Sequence, residues 1–342
     1  MKRLSSLVVA LLLSLLILNL VSFFFGAAPA TTLRALFAGT LGSGYGTGQI
    51  LFKATPILFS ALGARVAMRA GLFNIGVEGQ LLFTSFMVGS LGTFLGDVPS
   101  VVAWLCLLIV SLVAGALWAS IPASLRISTG AHEVLTTLIM NRLADPFVGF
   151  LLVTFFLVTG GIRTSDLPPT VLLPKLDRWF EMFRGSAVNV SIVMALVLFP
   201  LFQFFEKRTL FGRTLALIGS NPDACKHARI PVKRWMFLAM LLSGAIAGLG
   251  AMSTVVGYKG YFEQGLGAGS GFLGIAVALA AGESLFSLLF LALLFGFFEQ
   301  GGLAINAHVP REGLLMIEAI VLVVVVMREA KGRGASKIGA TQ

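Results

Sequence analysis

Ala70-Gly71-Leu72-Phe73-Asn74-Ile75-Gly76-Val77-Glu78-Gly79-Gln80 sets one carboxylate, two side-chain amides and three glycines at the mouth of an apolar run, with Arg65 and Arg69 just before it. A carboxylate entering lipid is costly unless it is paired or faces a polar cavity. Glycines let backbones approach closely, or let a helix break where it lines a path. The stretch therefore reads as part of a route through a membrane.

Composition points the same way. Of 342 residues, 57% are hydrophobic and 12% charged, with a mean hydropathy of +0.95. A soluble domain carries about twice that charged share. No stretch is long and polar enough to fold separately, so 1–342 is read as one transmembrane domain. The net charge of +10 does not imply nucleic acid, because the basic residues sit in short loops between apolar runs, where they orient a membrane protein. Cys106 and Cys225 fall in an apolar run and a basic loop, and His132, His227 and His308 are scattered. Neither a disulfide nor a metal site is expected, and no cofactor or catalytic residue is assigned.

The fold class expected is an all-α polytopic membrane protein of about ten transmembrane helices. The first run, Leu7 to Phe25, has 19 residues, roughly 28 Å as a helix and enough to cross a bilayer. We read 1–25 as an uncleaved first helix. Lys2-Arg3 and Ala27-Ala28-Pro29-Ala30 leave a cleaved secretory signal as the alternative. Further runs cover 49–64, 75–95, 101–122, 134–158, 189–205, 235–256, 271–282, 285–299 and 313–327. With ten crossings both termini are cytoplasmic, and the inner segments hold 16 of the 25 basic residues. Reading 271–299 as one span would put the basic tail, 328–342, outside, against the positive-inside rule. Two short, broken helices are expected there instead. Gly71-Leu-Phe-Asn-Ile-Gly76 opens the third span and Gly271-Phe-Leu-Gly-Ile-Ala276 the eighth, from opposite sides. That is the relation of an inverted repeat, spans two to five against seven to ten.

The segment 206–234 is the longest cytoplasmic loop. Its charges need no more than a solvated, topology-setting role. Its apolar content does: Leu210, Phe211, Leu215, Leu217 and Ile218 interleave with Arg208 and Arg213. Ser220-Asn221-Pro222-Asp223 reads as a helix start, with capping side chains and a proline allowed in the first turn. Ala224, Cys225 and Ala228 give that helix a small-residue face, suited to docking on a cytoplasmic partner. No segment fits Gly-x-x-x-x-Gly-Lys-Ser/Thr, so any ATP is bound by another chain.

Over residues 49–327 the sequence resembles the permease subunit of ATP-binding-cassette importers, in the branch that includes branched-chain amino-acid, ribose and nucleoside permeases. Arg69-Ala-Gly-Leu-Phe-Asn-Ile-Gly-Val-Glu-Gly-Gln80 is similar to the nucleoside and simple-sugar subgroup. Thr209-Leu-Phe-Gly-Arg-Thr-Leu-Ala-Leu-Ile-Gly-Ser-Asn-Pro-Asp-Ala224 resembles the family's ATPase-coupling loop. Leu242-Ser-Gly-Ala-Ile-Ala-Gly-Leu-Gly250 with Gly271-Phe-Leu-Gly-Ile-Ala-Val-Ala-Leu279 resembles its seventh and eighth spans. The sequence departs from the family at Arg229, where glycine is common, and at His132, where asparagine often precedes Glu133. The resemblance implies that Thr209, Gly212, Arg213, Gly219, Asn221, Pro222 and Ala224 contact the ATPase. It also implies a bacterial cytoplasmic (inner) membrane location and three kinds of protein partner: cytoplasmic ATP-binding subunits, a second identical or homologous permease, and an extracytoplasmic substrate-binding lipoprotein or protein. The cargo implied is a nucleoside, with riboflavin or a simple sugar as alternatives.

Asn74, Glu78, Gln80 and Asn141 are the candidates to line the path. Glu78 and Gln80 have a second, preferred reading as anchors in a network with Arg65 or Arg69. Arg142 and Asp145, three apart in the fifth span, are expected to pair with each other. Lys53 is expected to snorkel outward, and Glu318, among valines and leucines, must find a partner. An ion-coupled secondary transporter is the alternative class, with Glu78, Asp145 or Glu318 as the ion site. A membrane enzyme lacks support, since no H-E-x-x-H motif or Ser/His/Asp cluster is present. The topology predicts that a reporter fused after Gln342 behaves as cytoplasmic and one inserted near Lys175 as external. An external C-terminal reporter would mean one span over 271–299 or a cleaved first helix.

Overall fold

The computed structural model describes residues 16–156, 158, 161–307, 309, 310, 313, 315, 316, 318–320, 322–324 and 327. The expected first helix lies partly, and the 328–342 tail wholly, outside the described residues. Within them, five helices are long and apolar enough to cross a membrane: Gly44–Arg69, Ser100–Thr129, Glu133–Phe156, Val232–Lys259 and Leu285–Ile305. The expected spans at 75–95, 189–205 and 271–282 fall on the shorter helices Val77–Leu91, Ser191–Arg208 and Ser270–Ala281. No β-strand is present among the described residues.

Exposure separates the long helices by role. Gly44–Arg69 and Val232–Lys259 are mostly buried, whereas only a minority of Ser100–Thr129 and Glu133–Phe156 is buried. On Ser100–Thr129, Leu105, Ile109, Val113, Leu117, Ile121 and Leu125 recur every fourth residue and are all exposed. Spacing of four sets them along one ridge that winds slowly around the helix, and this apolar ridge is suited to lipid.

The described chain divides into two compact units. The larger, Thr55–Arg178 with Ala187–Ile275, is built on close helix crossings. A Cβ on Gly115 would strike the Gly244 carbonyl, and one on Gly244 the Gly115 carbonyl. A Cβ on Gly63 would lie 2.5 Å from the Ser243 carbonyl oxygen, and one on Gly248 2.5 Å from that of Ser111. The Ser243-Gly244 and Ala247-Gly248 pairs thus form a small-residue stripe against which two other helices pack backbone to backbone. This is how helices associate where lipid offers no hydrophobic driving force.

Part of the segment from Gly161 to Arg178 packs into the larger unit. Leu167, Val171 and Leu173 are buried with Val88, Leu107, Met252 and Val255, and the Trp104 indole donates to the Val171 carbonyl at 3.0 Å. Ser191–Arg208, 18 residues or about 27 Å of helix, separates this segment from the Leu210–Ser220 helix. The two follow one another across that helix, the first expected to be external and the second cytoplasmic.

The helix expected as the eighth span, Ser270–Ala281, follows an irregular stretch that hydropathy does not reveal. After Gly260 the chain runs without regular structure to Ser270, with Gly265, Gly267 and Gly269 at φ +86°, +75° and +90°. A Cβ on Gly89 would meet Phe262, and Gly271 lies against Glu78. The segment therefore descends antiparallel to Val77–Leu91 over 11 residues of that helix, about 16 Å. Gly271 consequently lies beside the first turn of the third span instead of at the opposite membrane face expected from the repeat.

The smaller unit comprises the described parts of Met1–Ala54, Trp179–Ser186 and Ala276–Gln342. Its ninth span, expected to end at 299, continues to Ile305 and has 21 residues, so it is long enough to cross and not short. Glu299 and Gln300 do not end it because both find partners. Lys53 Nζ lies 3.9 Å from Glu299, and Gln300 Nε2 donates to the Gly39 carbonyl at 3.3 Å. Lys53 thus sits in an ion pair instead of snorkelling alone. Gly282, at φ +57°, divides Ser270–Ala281 from Leu285–Ile305, as the charge count anticipated. Replacing Gly244 with leucine is expected to destabilise the larger unit by about 1–3 kcal/mol, read as a lower thermal midpoint of the detergent-purified protein. An unchanged midpoint would contradict the backbone contact with Gly115.

Candidate functional site

The Gly44–Arg69 helix ends in a glycine cap. Gly71 takes φ +73°, its N–H donates to the Met68 carbonyl at 3.1 Å, and that of Leu72 donates to the Ala67 carbonyl at 3.0 Å. These paired bonds are the Schellman pattern, which needs a left-handed residue at this place. Residues 72–76 are non-helical, and Val77–Leu91 then begins. Non-helical backbone at membrane depth needs internal partners for its polar groups.

Asn74, Asn141 and Thr137 supply them, and Gln80 braces Asn74. Asn74 is buried, accepts from the Gly76 N–H at 2.9 Å, and donates to Gln80 Oε1 at 3.1 Å and Ser243 Oγ at 2.9 Å. Gln80 returns a bond to Asn74 Oδ1 at 3.3 Å. From Glu133–Leu151, Asn141 accepts from the Gly79 N–H at 2.9 Å and donates to the Ile75 carbonyl at 2.6 Å. Thr137 accepts from the Ile75 N–H at 3.3 Å. Three of the four expected path residues therefore meet at the break, held by their own amides. Beside them Trp118 stacks on Phe83 at 4.8 Å between ring centroids and lies 5.6 Å from Phe147. Its buried indole N–H has no acceptor among the described residues.

Glu78 is an anchor, but not with the expected partners. Its carboxylate accepts from the backbone N–H groups of Gly269, Gly271 and Phe272 at 2.7, 2.8 and 3.3 Å. It caps the N-terminus of Ser270–Ala281, where the helix dipole favours negative charge. Arg65 and Arg69 instead converge on Glu206, a residue the sequence reading did not single out. Asp145 likewise accepts from Gln264 at 3.0 Å, and no Arg142–Asp145 ion pair forms among the described residues. In both cases a partner over 100 residues away displaced the local one, which spacing along a helix cannot foresee.

At the other end of Ser191–Arg208, Thr209 joins two helices. Its hydroxyl donates to the Phe205 carbonyl at 2.6 Å and accepts from the Gly212 N–H at 3.1 Å. Arg213 reaches back to the Arg208 carbonyl at 3.3 Å. The next helix, Leu210–Ser220, buries Gly212, Leu215 and Ile218 and exposes Leu210, Arg213 and Leu217. Leu210 and Leu217, seven residues apart, share the outward face. Asn221 caps Pro222–His227 by accepting from the Ala224 N–H at 2.9 Å, as the sequence indicated. Lys226 donates to Asp223 at 2.8 Å and holds that exposed carboxyl below its ordinary range. Arg229 sits at φ +59°, its N–H donating to the Lys226 carbonyl and that of Ile230 to the Cys225 carbonyl. This is again the glycine-favouring cap position, so the departure from glycine retains the turn at a backbone cost of about 1–2 kcal/mol.

The family described as "Branched-chain amino acid transport system / permease component" matches residues 46–326, and the chain belongs to it. Among individual relatives, the guanosine ABC transporter permease protein NupP of Bacillus subtilis is 32% identical over 98% of this chain and 99% of its own length. The nucleoside ABC transporter permease protein NupB of Lactococcus lactis is 29% identical over 92% and 88%. The glucose ABC transporter permease protein TsgB13 of Haloferax volcanii is 29% identical over 88% and 81%.

Asn141→Ala is expected to free the Gly79 N–H and the Ile75 carbonyl, at about 1–3 kcal/mol for polar groups left unpaired. Amide exchange at Gly79 should quicken while exchange in the Leu285–Ile305 helix stays as it was. Unchanged exchange at Gly79 would mean that Asn141 does not hold the break.

Proposed function

We propose that this chain is a permease subunit of a bacterial ATP-binding-cassette importer for nucleosides, forming half of an alternating-access pathway in the cytoplasmic membrane. The observation that carries the proposal is the Leu210–Ser220 helix. It presents Leu210, Arg213 and Leu217 outward, while Gly219 near its end lies against the Arg69 carbonyl and the Gly71 N–H, where the 71–76 break begins. A cytoplasmic ATPase seated on the outward face, with Asn221, Pro222 and Ala224 beside it, pushes on the part of the membrane domain where backbone is already irregular. ATP binding in the partner then shifts the balance between the open states. A second permease subunit completes the pathway, and an extracytoplasmic binding protein delivers the ligand.

The nucleoside assignment rests on the 69–80 motif together with the names of NupB and NupP. The amides of Asn74, Gln80 and Asn141 beside the Phe83–Trp118 stack suit a ligand with a flat base and a polar sugar. TsgB13 keeps a simple sugar as the second reading, and riboflavin is a third cargo within the same class. Ion coupling is disfavoured, because Glu78 and Asp145 already have protein partners.

In proteoliposomes holding the permease pair, ATPase and binding protein, labelled nucleoside uptake is expected, with little uptake of ribose or riboflavin. Gly212→Leu and Ala224→Pro should uncouple hydrolysis from uptake, since the first drives a side chain into Glu206 and the second removes the N–H capped by Asn221. Ribose or riboflavin uptake without nucleoside uptake would overturn the cargo and leave the importer. Normal coupling in both variants would overturn the docking surface.

A further inference from the structure

Three charged groups meet in the larger unit at the point where the coupling helix joins the membrane helices. Glu206 lies in the last turn of Ser191–Arg208 and is buried. Its carboxylate accepts from Arg65 Nε at 2.8 Å and Arg65 Nη2 at 3.1 Å, one bond to each oxygen. Arg69 Nε donates to the first oxygen as well, at 3.1 Å. The side chains of Glu206 and Arg65 are 4% and 5% exposed, that of Arg69 31%. A bidentate guanidinium–carboxylate pair fixes direction as well as distance. Desolvating the three groups offsets much of their attraction, so such a cluster is weak as a source of stability.

The cluster lies between two backbone contacts of one short helix. At its start, a Cβ on Gly212 would fall on the Phe205 carbonyl and 2.7 Å from Glu206 Cα. At its end, a Cβ on Gly219 would fall on the Arg69 carbonyl and 3.0 Å from the Gly71 N. The Leu210–Ser220 helix is thus seated on Glu206 at one end and on residues 69–71 at the other. Arg65 and Arg69 belong to the last two turns of the Gly44–Arg69 helix, and the 71–76 break starts two residues beyond its end. Glu206 therefore ties both supports of the coupling helix into one body. No slack chain intervenes between the docking face and the break.

We propose that Glu206 is a positioning residue of the transport cycle, holding Arg65 and Arg69 so that displacement of the Leu210–Ser220 helix moves the 71–76 break with it. The proposal rests on the importer reading for its source of force, and on the geometry above for the link itself. Glu206 touches no substrate. Its work is to make two helix ends move together, which is the physical content of a coupling between distant sites.

Two measurements separate this role from a merely structural one. In proteoliposomes of the assembled importer, uptake per ATP hydrolysed is compared for wild type, Glu206→Gln, Glu206→Asp and Arg69→Gln. Glu206→Gln should keep hydrolysis but lower the ratio about tenfold, and Glu206→Asp should recover most of it. A structural role would lower yield and both rates together, leaving the ratio unchanged. Glu206→Gln leaves Arg65 buried without its counter-charge. Arg69→Gln, at the more exposed partner, therefore serves as a milder arm and should lower the ratio in the same sense. In the purified permease alone, amide exchange of Gly71 to Gly76 should quicken in Glu206→Gln and return towards wild type in Glu206→Asp. A wild-type ratio in both Glu206→Gln and Arg69→Gln, or unchanged exchange at the break, overturns the proposal. Absence of ATP-dependent uptake in the wild type would instead defeat the importer reading, and the exchange measurement would still decide the link.

Discussion

Backbone that leaves the helix inside an apolar layer must find every hydrogen bond within the protein, and this requirement organises the larger unit. The break at 71–76 is the place where the requirement is most acute. Asn74 and Asn141 answer it with bonds to Gly76, Gly79 and Ile75, Gln80 braces Asn74, and Thr137 and Ser243 complete the set. Asn74 belongs to the break itself, and the others come from three helices. The break therefore holds only while those helices keep their mutual positions, and any rearrangement of the helices is felt at the break.

The second irregular stretch, 261–269, meets the same demand differently. Its positive-φ glycines let it run along Val77–Leu91, and its last amides fall on the Glu78 carboxylate. An internal anion at a helix N-terminus does what a bound one does elsewhere. Glu78 thereby fastens the start of one half-helix to the start of another. The two irregular stretches, 71–76 and 261–269, flank that one residue.

Close approach is the other recurring device. Gly63, Gly115, Gly244 and Gly248 bring helices into backbone contact where polar and aromatic side chains must converge. Gly212 and Gly219 do the same for the helix proposed to meet the ATPase. Membership of the permease family gives these contacts a use. A transporter must move as a few stiff bodies, and helices joined through glycine backbones have little side-chain slack to absorb a push.

Much of this was legible in the residues alone. Hydropathy located five long spans, because about 20 apolar residues in a row admit few alternatives. The 70–80 stretch was recognisable as special, because amides and a carboxylate are costly in lipid. The Asn221-Pro222 helix start is written locally, in the capping chemistry of adjacent residues. The partners of the charged groups were not legible. Arg65 and Arg69 meet Glu206 across more than 130 residues, Glu78 meets amides 191 or more residues away, and Asp145 meets Gln264. The depth of Gly271 and the full length of the ninth span were hidden for the same reason. Helical periodicity and hydropathy report what a segment requires of its surroundings. Only the packed structure determines which distant group supplies it, because that choice is made by helix crossings between segments far apart in the chain.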